Sequence, residues 1–417
     1  MKFFMPDWED RIDPDFNFQK DSYSEEHKKN PYENDAYSHQ IYTKKPPYDG
    51  MLLSISNFQR KIKIKDHENG KFLIRNKETI REYLKIENGS SLEVMGDCGA
   101  YSYVGEYEPP EFYSVEHVAE IYDKLKFDFG VSPDHMAIPF LAVKKDGKKI
   151  YKKLSQKERE RRRKVTIHNS EAFMEIINEK NYKFKAIGVA QGYNVSSYKN
   201  SVRTLIKQGY DYIALGSLVQ YHDDEILKIL EGINPLIEDK NLHLFGVLRP
   251  SNLNRFNELG VTSFDSASYF RKAWLRSGQN YLARDGIWYS AIRIPYSWNK
   301  NLMDRASEMD ISKSMLERLE AEAYEALNRY SEGKINIDRA LTTVMAYDRL
   351  LIRSSEGEEN LEARYKKTLN ERPWEKCDCE ICIEHGIDVV IFRGTNRNKR
   401  RGYHNTWVFR NEMMNSA

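Results

Sequence analysis

Cys377, Cys379 and Cys382 stand as Cys-x-Cys-x2-Cys, three of the four cysteines of a 417-residue chain within six positions. Thiolates this close suit a soft metal such as zinc, and a fourth ligand completes a tetrahedron. Two histidines qualify by position: His385, three residues after Cys382, and His404 in "GYHNTW". A site closed by four protein ligands is structural, so these cysteines are expected to staple the C-terminal segment and to take no part in catalysis. The fourth cysteine, Cys98, lies far off in "EVMGDCGAYSYV". Such a set is a poor disulfide framework and points to a reducing cytoplasm.

A second set of reactive groups ends a series of short apolar runs: "MLLSIS" (51–56), "SLEVMGD" (91–97), "FGVSPD" (129–134), "FKAIGVAQG" (184–192), "YIALGS" (212–217), "LHLFGV" (242–247) and "VTSFDS" (261–266). From the second run onward they end in Asp97, Asp134, Gln191 with Gly192, Gly216 with Ser217, Gly246, and Asp265. A single aspartate there is commonly the N-cap of a following helix. Three carboxylates on one rim would repel one another, and such groupings are kept where a ligand or a shared proton uses them. Chemistry at an anomeric carbon asks for this: one carboxylate attacks and another acid protonates the leaving group. A third carboxylate can accept hydrogen bonds from the N–H edge of a guanine-like base.

The frame that would gather these endings is legible between them. Helix-length amphipathic stretches separate the runs, among them "SVEHVAEIYDKL", "SSYKNSVRTLIKQG" and "DDEILKILEG". Apolar runs alternating with helices describe a parallel sheet covered on its outer face, and seven in succession predict a closed α/β barrel of the (β/α)8 (TIM) type. The eighth strand is not assigned. Residues 1–47, polar and without periodicity, are expected to form an irregular N-terminal extension, and residues 48–297 the barrel. Over 298–372 the rhythm breaks: "DISKSMLERLEAEAYEALNRYSEG" and "NIDRALTTVMAYDRLLIR" predict an inserted helical pair. Residues 373–417 are expected to form a zinc-binding subdomain.

The formal net charge is only +2, but the basic residues are bunched. Lys144–Lys164 holds twelve Lys/Arg against three acids, and Arg393–Arg401 holds five against none. Two such clusters on a near-neutral chain predict contact with a polyanion over the alternative of solvated helix faces. No apolar run approaches the ~18 residues of a membrane span, and "MKFFMPDWEDRID" turns acidic too soon for a secretory signal. No membrane partner is expected.

Together these segments resemble the tRNA-guanine transglycosylase superfamily, zinc-bearing (β/α)8 barrels that exchange a guanine in nucleic acid for a 7-deazaguanine base. "MGDCGAY" is similar to the family's aspartate motif, which implies Asp97 as general acid/base and Tyr101 as a stacking ring. "VSPDHMAIP" implies Asp134 as the base-reading aspartate, and "GVAQGYN" implies base contact at Gln191 and Gly192. "YIALGSL" resembles the turn that offers backbone groups to the base, at Gly216 and Ser217, and "LFGVLRP" implies Phe245 as cover for the base's other face. "SFDSASY" implies Asp265 as the nucleophile of a covalent aspartyl-glycosyl intermediate. The zinc pattern favours His404 over His385. The chain departs from the family at Ala100 and Ser217, each in place of a glycine, and in the long interval between Asp265 and the cysteines.

Those departures, with the opening "MKFFMPDWEDRIDPDFNF", are similar to the DpdA-type DNA-guanine transglycosylase branch. That likeness implies an enzyme, a pentosyltransferase that inserts 7-cyano-7-deazaguanine into DNA. Its partners would be DNA, free guanine and the 7-deazaguanine base, and helper proteins of the same modification system. The same chemistry on tRNA is the nearest alternative. A non-catalytic nucleic-acid-binding subunit is the other, and the presence of both Asp97 and Asp265 argues against it.

Overall fold

The computed structural model describes residues 1–57, 79–145, 148–275, 278–351 and 355–414. Among the described residues, ten strands fall in the first two-thirds of the chain: β1 (Lys2–Pro6), β2 (Gly50–Ser54), β3 (Glu93–Asp97), β4 (Phe129–Val131), β5 (Phe140–Lys145), β6 (Lys148–Lys153), β7 (Lys185–Ala190), β8 (Tyr212–Leu215), β9 (Asn241–Leu244) and β10 (Ser263–Asp265). Eight of them, all but β5 and β6, pair in parallel in chain order, and β10 closes on β1 through Phe3↔Phe264 and Phe4↔Asp265. This is the expected closed barrel, and every one of the seven apolar runs contributes a strand.

The eighth strand is β1, inside the segment expected to be an irregular extension. Phe3, Phe4 and Met5 are buried, so three consecutive apolar residues serve both faces of a covered strand and show no alternation. The barrel interior is filled by Phe4, Leu52, Met95, Phe129, Val131, Ile187, Val189, Tyr212 and Ala214. The helices Val115–Leu125, Val195–Lys207 and Asp223–Ile233 coincide with the three amphipathic stretches read from the sequence.

The chain divides into two compact units, residues 1–9 with 48–267, and residues 10–47 with 268–416. The boundaries therefore differ from those expected: 268–297 leaves the barrel and 10–47 joins the C-terminal unit. In that second unit the described residues of the insertion form four helices rather than two, Lys300–Glu308, Lys313–Ser331, Ile337–Asp348 and Ser355–Glu371. Ser312 and Asn336 cap the two that the sequence predicted, each accepting a bond from a first-turn N–H. No helix among the described residues is long and apolar enough to cross a membrane.

Candidate active site and metal centre

Parallel barrel strands expose their C-terminal ends on one rim, and the rim here carries the expected residues. Asp97 ends β3, Asp265 ends β10, Gln191 follows β7, and Gly216 and Ser217 follow β8. Asp265 is buried, and its Oδ1 accepts from the Gly246 N–H at 2.8 Å and faces His243 Nε2 at 3.2 Å. Behind His243 runs a buried chain: Nδ1 lies 2.7 Å from Ser263 Oγ, which lies 2.5 Å from the Tyr212 hydroxyl. Burial pushes that phenol up to about 12, so it keeps its proton. When donation runs from Tyr212 through Ser263 to Nδ1, the imidazole proton stands on Nε2, which faces the carboxylate. His243 was not among the expected site residues, since a lone histidine in "LHLFGV" has no spacing signal; its position on β9, beside β10, supplies the role.

Asp97 sits among like charges. Burial first, then the charges of Asp134 and Asp265, raise it to about 7, against the Ser54 hydroxyl and the Gly99 N–H, which pull it down. It is thus poised to hold or release a proton near neutrality. Asp134 lies three residues beyond β4 and is raised to about 6 by burial, with the Cys98 thiol and the Gln191 amide opposing. Cys98 Sγ donates to its Oδ1 at 3.1 Å, and Gln191 Nε2 to its Oδ2 at 2.5 Å.

The Gln191 amide is oriented by its neighbours. Its Oε1 accepts from the Ala137 N–H at 3.2 Å and from Ser217 Oγ at 2.6 Å, so Nε2 must be the end that meets Asp134. Ser217 has φ +64°, the left-handed region that favours glycine, and its hydroxyl bond to Gln191 offsets that strain. A Cβ on Gly216 would fall 2.2 Å from Gln191 Nε2, and one on Gly192 would fall 2.5 Å from the Tyr198 ring. Phe245 is half-buried and packs edge-on against His243 at 4.7 Å. Tyr101 is set apart: its ring is 77 % exposed on the turn Ala100–Tyr103 and has no ring or hydrogen-bond partner among the described residues.

In the C-terminal unit, the side chains of Cys377, Cys379, Cys382 and His404 converge, with ligand atoms all within 4.8 Å of one another. His404 Nδ1 lies 3.6, 3.4 and 3.3 Å from the three sulfurs in that order, while Nε2 meets the Leu282 carbonyl at 2.7 Å. That carbonyl fixes the tautomer and turns the lone pair of Nδ1 inward. Three thiols and an imidazole without intervening cations fit a tetrahedral soft-metal site. His385 is no part of it. Its ring lies 4.5 Å from that of Phe18, and burial together with the Arg400 and Arg397 charges holds it down to about 3.

The two basic clusters fare differently. Arg393, Arg397, Arg400 and Arg401 lie on or at the start of the helix Gly394–Val408 and are buried. Arg393 and Arg397 share Asp21, Arg393 also pairs with Glu320, and Arg397 meets Asp388 at 2.8 Å. Arg400 and Arg401 donate to carbonyls of Asp13, Pro14, Ala273, Val389 and Ile391. This corrects the expectation that Arg393–Arg401 faces a polyanion: the guanidinium groups are fully engaged inside the fold. In the first cluster Arg161, Arg162 and Arg163 pair with Glu158 or Glu160, whereas Lys152 and Lys153 are exposed and meet no carboxylate among the described residues.

Residues 110–415 match the family described as Queuine tRNA-ribosyltransferase. The chain belongs to this family. Over 425 aligned residues it is also 34 % identical to a DNA-guanine transglycosylase of Salmonella montevideo, covering 99 % of this chain and 96 % of that one. Membership makes the chain a pentosyl-transferring glycosyltransferase, closely related to the DNA-guanine transglycosylase branch. The family match begins beyond β3, so Asp97 and Tyr101 lie outside it, while the full-length relative spans them.

Proposed function

We propose that this transglycosylase exchanges guanine in DNA for a 7-deazaguanine, 7-cyano-7-deazaguanine by the branch likeness, through a glycosyl ester on Asp265. With Oδ1 held by Gly246 and His243, Oδ2 is the oxygen left to attack C1′. As the C1′–Oδ2 bond forms, the bond from C1′ to the base nitrogen breaks, and Asp97 gives its proton to the departing guanine. The incoming deazaguanine then loses its ring N–H proton to Asp97, and its nitrogen attacks C1′ and expels the Asp265 carboxylate. Two inversions retain the configuration. The observation that carries the reading is the pair of carboxylates on one rim: Asp265 ends β10 with one oxygen held by Gly246 and His243, and Asp97 ends β3 with its carboxyl raised toward neutrality, which suits proton transfer in both directions.

Asp134 would accept from the N–H edge of the base, and the second Nε2 hydrogen of Gln191 would meet its carbonyl. Gly192, Gly216 and Ser217 would wall the pocket, with Phe245 and Tyr101 covering the two faces of the ring. Zinc is the metal proposed for the Cys3His cluster, as a structural staple; four free cysteines suit a cytoplasmic setting. Helper proteins of a modification system belong to the same proposal.

DNA as the polymer is supported by the full-length relative's name and by the lysines of the first basic cluster. The family's description favours tRNA as the second reading. Mass spectrometry of nucleosides after incubation with labelled deazaguanine separates them. Label in DNA, lost with Asp265→Asn, is expected; label in tRNA alone would replace the reading, and turnover by Asp265→Asn would remove the covalent step.

A further inference from the structure

Strands β5 and β6 pair only with each other among the described strands, as an antiparallel ribbon between β4 and the helix Gln156–Lys180. Its root is tied to the base-binding rim. Phe140 begins six residues after Asp134; its N–H donates to Gln220 Oε1 at 3.1 Å, and its carbonyl accepts from Gln220 Nε2 at 3.0 Å. Gln220 stands three residues after Ser217. Leu154 closes the root by donating to the Pro139 carbonyl at 2.9 Å.

The two faces of the ribbon differ. On one, Leu141 and Val143 pack with Ile138, Leu154, Val104 and Met136. On the other, register places Phe140 opposite Lys153 and Ala142 opposite Tyr151. Phe140 is 44 % and Tyr151 64 % exposed. Residues 140–153 carry six lysines and one aspartate, so a strongly positive ribbon shows two aromatic rings to solvent on a single face. Aromatic rings beside exposed lysines such as Lys153 are poor surface for a protein partner that must desolvate them. They suit a polyanion that carries its own flat apolar rings, and the bases of a paired duplex are not available for that.

We infer that this face of the ribbon holds DNA whose bases are unpaired next to the target guanine. Lys153, on the same face, meets a phosphate, and Tyr151 stacks on an exposed base. Six-residue strands reach about 20 Å from the root. Tyr151 lies only one register step of two residues from Phe140, within a nucleotide or two of the rim. A guanine must leave the duplex to present C1′ to a barrel mouth, and its neighbours lose their stacking partner when it does. The ribbon would replace that partner. The inference rests on the proposed DNA substrate and names the strand-separated form as the one recognised.

The test measures equilibrium binding without turnover, by fluorescence anisotropy, to an intact duplex, the same duplex with a three-base bubble at the guanine, and a tRNA anticodon hairpin. Wild-type protein is expected to favour the bubble. Tyr151→Ala should lose that preference by on the order of ten-fold while Tyr151→Trp keeps it, with metal content and melting temperature unchanged. Lys153→Gln should weaken bubble and duplex alike and lower the salt slope by about one. Bubble affinity unchanged in Tyr151→Ala overturns the inference while leaving the DNA reading intact. Binding of the hairpin with none to either DNA overturns both. A wild-type dimer that Tyr151→Ala dissolves, with DNA affinity unaltered, assigns the face to a second copy and overturns it too.

Discussion

Gly216→Ala tests the site with a single methyl group. The added Cβ would fall 2.2 Å from Gln191 Nε2, so the amide must move. A free side-chain end would move at little cost, but this one is held at three points: by Asp134 through Nε2, and by Ala137 and Ser217 through Oε1. Swinging it away removes a hydrogen bond to a carboxylate, roughly 1.5–3 kcal/mol, and strands two donors in a buried setting at about 1–3 kcal/mol more. Relaxation and water recover part of that, and a net loss of about 2 kcal/mol is expected, some thirty-fold in affinity for the free base. Titration calorimetry with guanine reads it directly, and kcat/KM should fall in step. Gln191→Ala alone should reproduce most of the loss, and Gly216→Ala in that background should add little, because both act through one amide. Undiminished guanine affinity in Gly216→Ala, with the protein folded, would refute the argument that Gln191 is locked against Asp134.

Asp97→Asn should abolish exchange yet stabilise the fold at high pH. The folded carboxyl titrates near 7 and the unfolded one near 3.8, so between those values the folded state binds more protons. Stability from this group is therefore complete below 3.8 and is lost as pH rises through 7. The melting temperature of Asp97→Asn should exceed wild type at pH 8 and match it near pH 4; equal melting at both would contradict the burial assigned to Asp97. His243→Phe should lower kcat by on the order of ten-fold with little change in KM for the base, since it frees the orientation of Asp265 without touching guanine, and His243→Gln should restore part of it; a change confined to KM would point to a binding role. His404→Ala should release the metal and His385→Ala should retain it, read by elemental analysis. Arg397→Ala should destabilise by about 3–5 kcal/mol, as removal of one partner from a buried ion pair does, and leave the salt slope of DNA binding unchanged; a lower slope would return that helix to the polyanion surface.

Much of this architecture follows from local composition. A strand covered on both faces must be apolar along its length, which is why seven runs could be read as barrel strands and why their last residues named the rim. Thiolates within six positions need no tertiary information to suggest a metal, because a loop that short already brings them together. Tertiary structure alone decided three matters, and it gave the physical reason for a fourth, the choice of His404 that the family likeness had already favoured. Phe3–Met5 became the eighth strand by pairing with residues some 260 positions away, a partnership that no window around the N-terminus contains. His404 became the fourth ligand because a helix and the Leu282 carbonyl aim its Nδ1, whereas His385, nearer in sequence, is turned toward Phe18. Tyr212, Ser263 and His243 form one chain to Asp265 only because β8, β9 and β10 lie side by side. The two basic clusters look alike as strings of charge. What separates them is whether carboxylates and carbonyls distant in sequence fold against the cations: Asp21, Glu320 and Asp388 do so for Arg393 and Arg397, and none does for Lys152 and Lys153 among the described residues.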